Sequence, residues 1–309
     1  VIFMFTFISK RILEAIPTLL ILITVSFFLM HSAPGSPFSS ERTLPPEVLA
    51  NINAKYHLDE PVINQYFYYL GGLLQGDLGP SFRYKDFTIN ELIAQSFPVS
   101  AEIGIWSFLI ALIIGVGCGI VAALRQNSWL DYSVMGFANL GIVLPNFVLA
   151  PLCILFFSIY NHWLPPGGWN GGAWPYLVMP VIAMSTSYIA QIARITRGSM
   201  IETMHSNFIR TARAKGLPKY RIILQHALRP AMLPVISYLG PAFVGIVTGS
   251  VIVDVYFGTG GIGQHFINGA LNRDYSMVMG VTILVGTLTI IFNAIVDVLY
   301  AVIDPKIRY

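Results

Sequence analysis

Apolar residues in this chain gather into runs of membrane-crossing length, separated by polar breaks. From Ile12 to Met30 only Glu14, Thr18, Thr24 and Ser26 interrupt the apolar character, and a bilayer core needs about 20 such residues in a helix. Further runs cover Pro98 to Leu124, Tyr132 to Tyr160, Trp174 to Ala193, Pro230 to Phe257 and Tyr275 to Ile303, so the pattern predicts six transmembrane helices. Pro145 and Pro151 inside the third run predict a kink with both prolines turned toward the bundle interior, where neighbours can satisfy the freed carbonyls. In the second run Gly115, Gly117 and Gly119 predict close helix approach, since packing rather than hydrophobicity associates helices in lipid.

The polar breaks orient the spans. Lys10 and Arg11 before the first run, Arg125 after the second, the basic stretch from Arg194 to Arg229, and Lys306 and Arg308 at the end all fall on one side. By the positive-inside rule that side is cytoplasmic, with both termini. The segment from Ser32 to about Phe97 is then external and reads as a helix over Pro46 to Tyr56, followed by a second short helix near Tyr66 to Tyr69 closed by a tight turn at Gly76 to Phe82. Arg125 to Asp131 is a cytoplasmic turn, and the uncharged, Trp-rich loop His162 to Trp174 suits the external interface. The first run follows two cations as a signal peptide does, but it is longer than an h-region and Ala33 to Pro37 is a poor cleavage site, so it is expected to stay as a helix.

The stretch from Arg194 to Arg229 carries Arg194, Arg197, Arg210, Arg213, Lys215, Lys219, Arg221 and Arg229 against Glu202 alone. Within it, Gly216 suits a helix C-terminal cap and Pro218 a first helical position, which predicts two short helices meeting at a sharp elbow. Anionic headgroups alone would draw such cations, at about 1 kcal/mol each, and the membrane lipid is accordingly one partner. Lipid binding needs no Gly-x-Pro elbow, however, and docking to a protein partner is the favoured reading.

Composition agrees with a membrane protein. Of 309 residues 55% are hydrophobic and 11% charged, far from the roughly 25% charged residues of soluble domains. The net charge of +3 is concentrated in a few loops, which argues against nucleic-acid binding. Cys118 and Cys153 sit in apolar runs as packing residues, and none of the histidines stands in a metal-ligand pattern. Gly258 to Gly263 lacks the Gly-Lys-Ser/Thr end of a phosphate loop. Of the ionisable residues in the apolar runs, Glu14 is within reach of Lys10 and Arg11, Glu102 lies one turn into its span, and Asp297 is deeper; the bland readings are interfacial pairing, snorkelling and a basic partner on another subunit.

The elbow motif Arg210-Thr-Ala-Arg-Ala-Lys-Gly-Leu217, followed by His226-Ala-Leu-Arg229, resembles the cytoplasmic signature of binding-protein-dependent ABC importer permeases in the form used by the peptide and nickel branch. The general signature has a Glu-Ala-Ala triplet where this chain has Arg210-Thr211-Ala212, and a Leu-Pro close that is displaced here to Leu233-Pro234. The resemblance extends through Phe28 to Pro37, Tyr56 to Pro61, Gly76 to Phe82, Arg197 to Met200, Gly258 to Gly263, Asn272 to Tyr275 and Asp304 to Tyr309. The nearest match is with the first of the two permease subunits of oligopeptide importers.

The resemblance implies an all-α integral membrane fold of the type I ABC importer permease class, with an external helical loop after helix 1. It implies a second homologous permease subunit, two ABC ATPase subunits that bind ATP and Mg, an external oligopeptide-binding protein and a peptide substrate, with no cofactor on this chain. It also implies a coupling segment that docks on an ATPase through Ser206, Asn207, Arg210, Thr211, Ala212, Lys215, Gly216, Leu217 and Pro218. The expected organisation is residues 1–97 as first helix and external loop, 98–303 as the transmembrane domain with the coupling loop at 194–229, and 304–309 as a cytoplasmic tail in the bacterial inner membrane. A passage for many peptide sequences needs few specific contacts, and Asn139, Pro145, Asn146, Ser237, Tyr238, Thr248 and Ser250 are the candidate lining. A dipeptide or nickel importer shares the loop. An intramembrane enzyme would need paired catalytic groups within the bilayer, and only Asp297 is deep.

Overall fold

The computed structural model describes residues 2–32, 58–84 and 87–303. Their order is α1 (Ile2–Ser32), α2 (Val62–Leu74), α3 (Ile89–Leu124), α4 (Trp129–Val143), α5 (Asn146–Cys153, continuing as a π-helix over Ile154–Tyr160), α6 (Trp174–Met204) and α7 (Asn207–Ala214). A mixed helical run follows, α over Lys219–Arg221, π over Ile222–Ala227 and α again over Leu228–Ala231. The chain ends in α8 (Leu233–Val247), α9 (Val251–Phe257), α10 (Ile262–Leu271) and α11 (Tyr275–Ile303). Among the described residues five stretches are long and apolar enough to cross a membrane, and the bent pair α4 and α5 makes a sixth if it counts as one span. The expected helix at Pro46 to Tyr56 and the tail at Asp304 to Tyr309 lie outside the described residues.

Several boundaries differ from the sequence reading. The second span begins at Ile89, not Pro98, because Thr88 and Glu91 form a capping box: the Thr88 N–H donates to Glu91 Oε2 at 2.8 Å and the Glu91 N–H to Thr88 Oγ1 at 3.3 Å. Pro98 then sits inside the helix, where it removes a single bond, the one to the Ala94 carbonyl. The third span is broken rather than kinked. Leu144 turns extended ahead of Pro145, as the residue before a proline prefers, and the two halves meet at 100°. Pro145 is exposed and Pro151 half-buried, so the pair does not share an interior position. The helix of the fourth span continues past Ala193 to Met204, carrying Arg194 and Arg197 out of the predicted loop. The fifth is interrupted at Thr248 to Ser250, where Gly249 takes a φ of +84° and the Ser250 hydroxyl caps the next helix.

The chain divides into two compact units, residues 1–98 with 261–290, and 99–260 with 291–309. In the first, Phe27 of α1 and Tyr66 of α2 are buried with Met279 of α11, and Thr24 Oγ1 and the Tyr66 hydroxyl lie 2.7 Å apart. Ser81, buried, donates its hydroxyl proton to Asp274 and accepts the N–H groups of Arg83 and Tyr84. Asp274 in turn caps α11 through the Met277 N–H, so the turn at 77–84 is stapled to the start of the last span. A cavity of about 330 Å³ opens beside Phe27, His31, Tyr68, Tyr69, Phe82 and Tyr275. Burial pushes the Tyr69 phenol up and the His265 imidazole down from their ordinary values.

In the second unit α6 lies where side chains are missing on its neighbours. An ideal Cβ on Gly115 would stand 2.8 Å from Ile192 Cβ, and one on Gly119 would stand 2.5 Å from Thr196 Cβ and 2.7 Å from the Ala193 carbonyl oxygen. Gly117 points to open space, as the helical period of 3.6 requires when Gly115 and Gly119 share a face. On α4, Gly141 meets the Thr186 backbone carbonyl. Elsewhere Gly104 of α3 takes the Val247 backbone of α8, and Phe243 of α8 stacks between Phe108 of α3 and Phe292 of α11 at centroid distances of 4.9 and 4.2 Å. The loop before α6 is pinned by the Gly168 N–H to the Phe257 carbonyl at 2.6 Å.

Gly119→Leu should therefore be destabilised by about 1–3 kcal/mol or more through overpacking, whereas Gly117→Leu should leave stability near wild type. Thermal unfolding of the two purified variants in detergent compares them. Equal melting temperatures would show that α3 and α6 do not meet on this face.

Candidate functional site

The elbow is assembled from the C-terminal end of α6 onward. At Met204 the helix stops, and Ser206 turns its hydroxyl back to the Thr203 carbonyl at 2.6 Å rather than capping α7. Helix α7 has two faces. Ile209 and Ala212 are buried with Ala123 of α3, Met200 of α6 and Ile222 and Ala227 of the run that follows. Phe208, Arg210, Thr211 and Arg213 are exposed, and the Arg213 guanidinium reaches back to the Met204 carbonyl at 3.4 Å.

The termination of α7 follows the expected physics. Gly216 has a φ of +71°; its N–H bonds the Arg213 carbonyl at 2.9 Å, and the Leu217 N–H bonds the Ala212 carbonyl at 3.3 Å. These two bonds form a Schellman motif, completed by Leu217 packing against the same apolar cluster. Pro218 is extended and caps the next helix from outside, one residue before the first helical position expected of it; its carbonyl accepts the Arg221 and Ile222 N–H groups at 3.0 and 3.1 Å. Four backbone hydrogen bonds, from four amides to three carbonyls, thus hold the turn.

Of the predicted coupling residues, Asn207, Arg210, Thr211, Lys215, Gly216 and Pro218 face outward together. Ala212 is buried and Leu217 half-buried, so their place is under the elbow; Ser206 is engaged with Thr203. Sequence reasoning overlooked Phe208, Tyr220 and Leu224, which are exposed at 49%, 62% and 62% and interleave apolar area with the cations. Their signal was the helical phase, which leaves Phe208 outside once Ile209 and Ala212 are inside.

The candidate pathway residues fall in two places. Asn139, on α4, accepts a hydrogen bond from Arg194 of α6 at 3.0 Å, while Pro145 and Asn146 form the break between α4 and α5. Ser237 and Thr248 donate to carbonyls one turn back, Leu233 and Val244, and Ser250 caps α9. Tyr238 is half-buried beside Ala111, Ile192 and Val235. Glu14 and Glu102 are exposed and Asp297 is half-buried. Two further carboxylates are buried: Asp131, which the sequence reading places in the turn before the third span, and Asp254, inside the fifth, are each 1% exposed.

Asp131 and Arg197 join α4 to α6. Arg197 Nε donates to Asp131 Oδ1 at 2.7 Å and a terminal guanidinium nitrogen to Oδ2 at 2.6 Å, a bidentate pair. Asp131 also accepts the Asn127 N–H at 2.9 Å, and Ser128 caps α4. Arg197 is thus half-buried and paired, unlike the exposed cations of the elbow. Asp254 accepts the Thr259 hydroxyl at 2.6 Å beside the break in the fifth span.

Residues 115–309 match the family described as the binding-protein-dependent transport system inner membrane component, and residues 4–103 match its N-terminal component. The chain belongs to this family. Among relatives of this permease, the oligopeptide transport system permease protein OppB of Escherichia coli K12 is 66% identical over 306 residues, 99% of this chain and 100% of that protein. OppB of Haemophilus influenzae is 64% identical over the same shares, and the dipeptide transport system permease protein DppB of Bacillus subtilis is 40% identical over 97% of this chain and 96% of that protein. A solved chain of the inward-facing MetNI methionine ABC transporter superposes with a TM-score of 0.58 at 16% identity, covering 69% of this permease and 96% of that chain. An amino acid ABC transporter crystallised with histidines gives 0.55 at 14%, over 68% and 93%. These two likenesses establish the ABC importer permease fold, and membership makes the chain a multi-pass transport component rather than an enzyme.

Gly216→Val tests the turn. The site offers open space around an added side chain, so the penalty is the left-handed backbone alone, about 1–2 kcal/mol, and the spans should be unaffected. Wild-type membrane levels with weakened capture of the partner ATPase are expected; undiminished capture and uptake would show that the turn does not govern docking.

Proposed function

We propose that this permease is one of two membrane subunits of an ATP-driven oligopeptide importer, with the elbow from Ser206 to Pro218 docked on a cytoplasmic ATPase. The observation that carries the reading is the elbow: a short helix anchored by its apolar face, ended by a fixed Schellman turn, and presenting Arg210, Lys215 and Lys219 with Phe208 and Tyr220 outward. Such a surface can enter an acidic-rimmed groove and pass a push into α3 and α6 without melting. This chain carries no recognisable nucleotide motif, so ATP and Mg belong to two ATPase subunits, and a second homologous permease would complete the passage. An external binding protein would deliver the peptide and carry most of the selectivity. Oligopeptide cargo is supported by 66% identity over the whole length of OppB, against 40% for a dipeptide permease.

The orientation that belongs to this reading puts the elbow and both termini in the cytoplasm of a bacterial cell, with α2 outside. An impermeant thiol reagent applied to intact cells should label a cysteine at Gln75 and spare one at Lys219; the reverse pattern would invert the topology. In vesicles containing the four-subunit complex, oligopeptide uptake should require both ATP and binding protein. Charge reversal at Arg210 and Lys215 should weaken ATPase capture most at low ionic strength and least at high, because salt screens exposed charges. Peptide accumulation without ATPase subunits would refute the proposal.

A further inference from the structure

The elbow rests on a closed ring of packed elements within its own unit. Its apolar underside, Ile209 and Ala212, touches Ala123 near the end of α3 and Met200 near the end of α6. From Leu124 the chain turns through Asn127, whose φ is +60°, and reaches the Ser128 cap of α4 within a few residues. Asp131, in the first turn of α4, then returns to α6 through Arg197. Gly115 and Gly119 bring α3 onto the same stretch of α6. Arg197 stands seven residues before Met204, about 10 Å along the helix from the elbow.

We propose that the Asp131–Arg197 pair is a positioning clamp that carries movement of the elbow into α4 and so to the break at Leu144 and Pro145. Its residues touch neither cargo nor ATPase. Apolar packing alone lets α4 slide or rotate against α6, because dispersion is non-directional; a bidentate guanidinium–carboxylate pair fixes both distance and rotation. Asp131 is 1% exposed and Arg197 28%, so the pair is only weakly screened. Asp131 holds the Asn127 N–H with the same carboxylate, so the turn and the first helical residues of α4 move with Arg197 as one piece. An elbow displaced by an ATPase therefore displaces α6 and α4 together. Without the clamp, α6 would follow the elbow while α4 lagged.

This inference rests on the importer reading above, and the test separates the two. Asp131→Asn, Arg197→Met and the double variant are reconstituted with ATPases, second permease and binding protein, and peptide taken up per ATP hydrolysed is measured beside membrane level and ATPase capture. Each single variant should keep its ATPases and binding-protein-stimulated hydrolysis while uptake per ATP falls about tenfold, within the range for couplings carried by packed networks. The double variant should be no worse than either single change. A merely structural pair would lower membrane level or capture and leave uptake per ATP alone, which would overturn the clamp, as would additive losses in the double variant. If the single variants fail to accumulate, Asp131→Glu keeps the charge and shifts the carboxylate by one methylene; it should lose coupling in the same way, and wild-type uptake per ATP in it would overturn the proposal. Failure of the importer reading itself would appear in the wild-type complex, as absence of ATP-dependent uptake.

Discussion

Helix α6 lies where its neighbours have no side chains. Gly115 and Gly119 bring α3 against Ile192 and Thr196, and Gly141 brings α4 against the Thr186 carbonyl. In an apolar medium these contacts are the main attraction between helices, since lipid is no worse a neighbour for leucine than protein is. Close backbone approach multiplies small dispersion contributions, and it also sets an upper limit on separation that a Leu or Ile at any of the three sites would break. The elbow, the capped start of α4 and the Arg197 pair all inherit their positions from that packing.

Polar groups then settle what apolar packing leaves free. Translation and rotation of one smooth helix on another cost little, so register along α6 is carried by the Asp131–Arg197 pair and, within a turn of it, by Arg194 to Asn139. In the first unit the Ser81–Asp274 staple does the same for the turn at 77–84 and the last span. Asp131 and Asp274 each divide the carboxylate between a nearby backbone N–H, in the turn before α4 or in the first turn of α11, and a distant element, which keeps a buried anion paired.

Local rules were readable in the sequence, and non-local ones were not. The left-handed conformation at Gly216 follows from a helix ending before a proline, and the apolar face of α3 from glycines four residues apart. The capping box at Thr88 and Glu91 was equally local, yet the prominence of Pro98 masked it, because a proline reads as a start when it can also sit inside a long helix. The 100° break had its cause in view at Pro145, but the angle depends on what the two halves pack against. Asp131 and Arg197 are 66 residues apart, and Arg197 looked like one more cation in a basic stretch until the fourth span's helix was seen to run on to Met204. Resemblance suggested a docking role for the elbow; geometry separated its exposed residues from those, such as Ala212 and Leu217, that pack beneath it.

The π-wound stretches at Ile154–Tyr160 and Ile222–Ala227 carry a consequence for how such a chain tolerates change. A π turn closes its hydrogen bonds over five residues instead of four, so each stretch stores surplus length inside an otherwise regular helix. The surplus is absorbed locally, and Ala227 and Ala231 both lie in the cluster under the elbow. Losing one residue inside the π stretch would let the backbone wind as ordinary α-helix with the downstream phase nearly kept, whereas losing one from the α-helical residues beside it would turn the start of the fifth span by about 100°. The connection therefore tolerates a one-residue deletion within its π turn and resists the same deletion a few residues away.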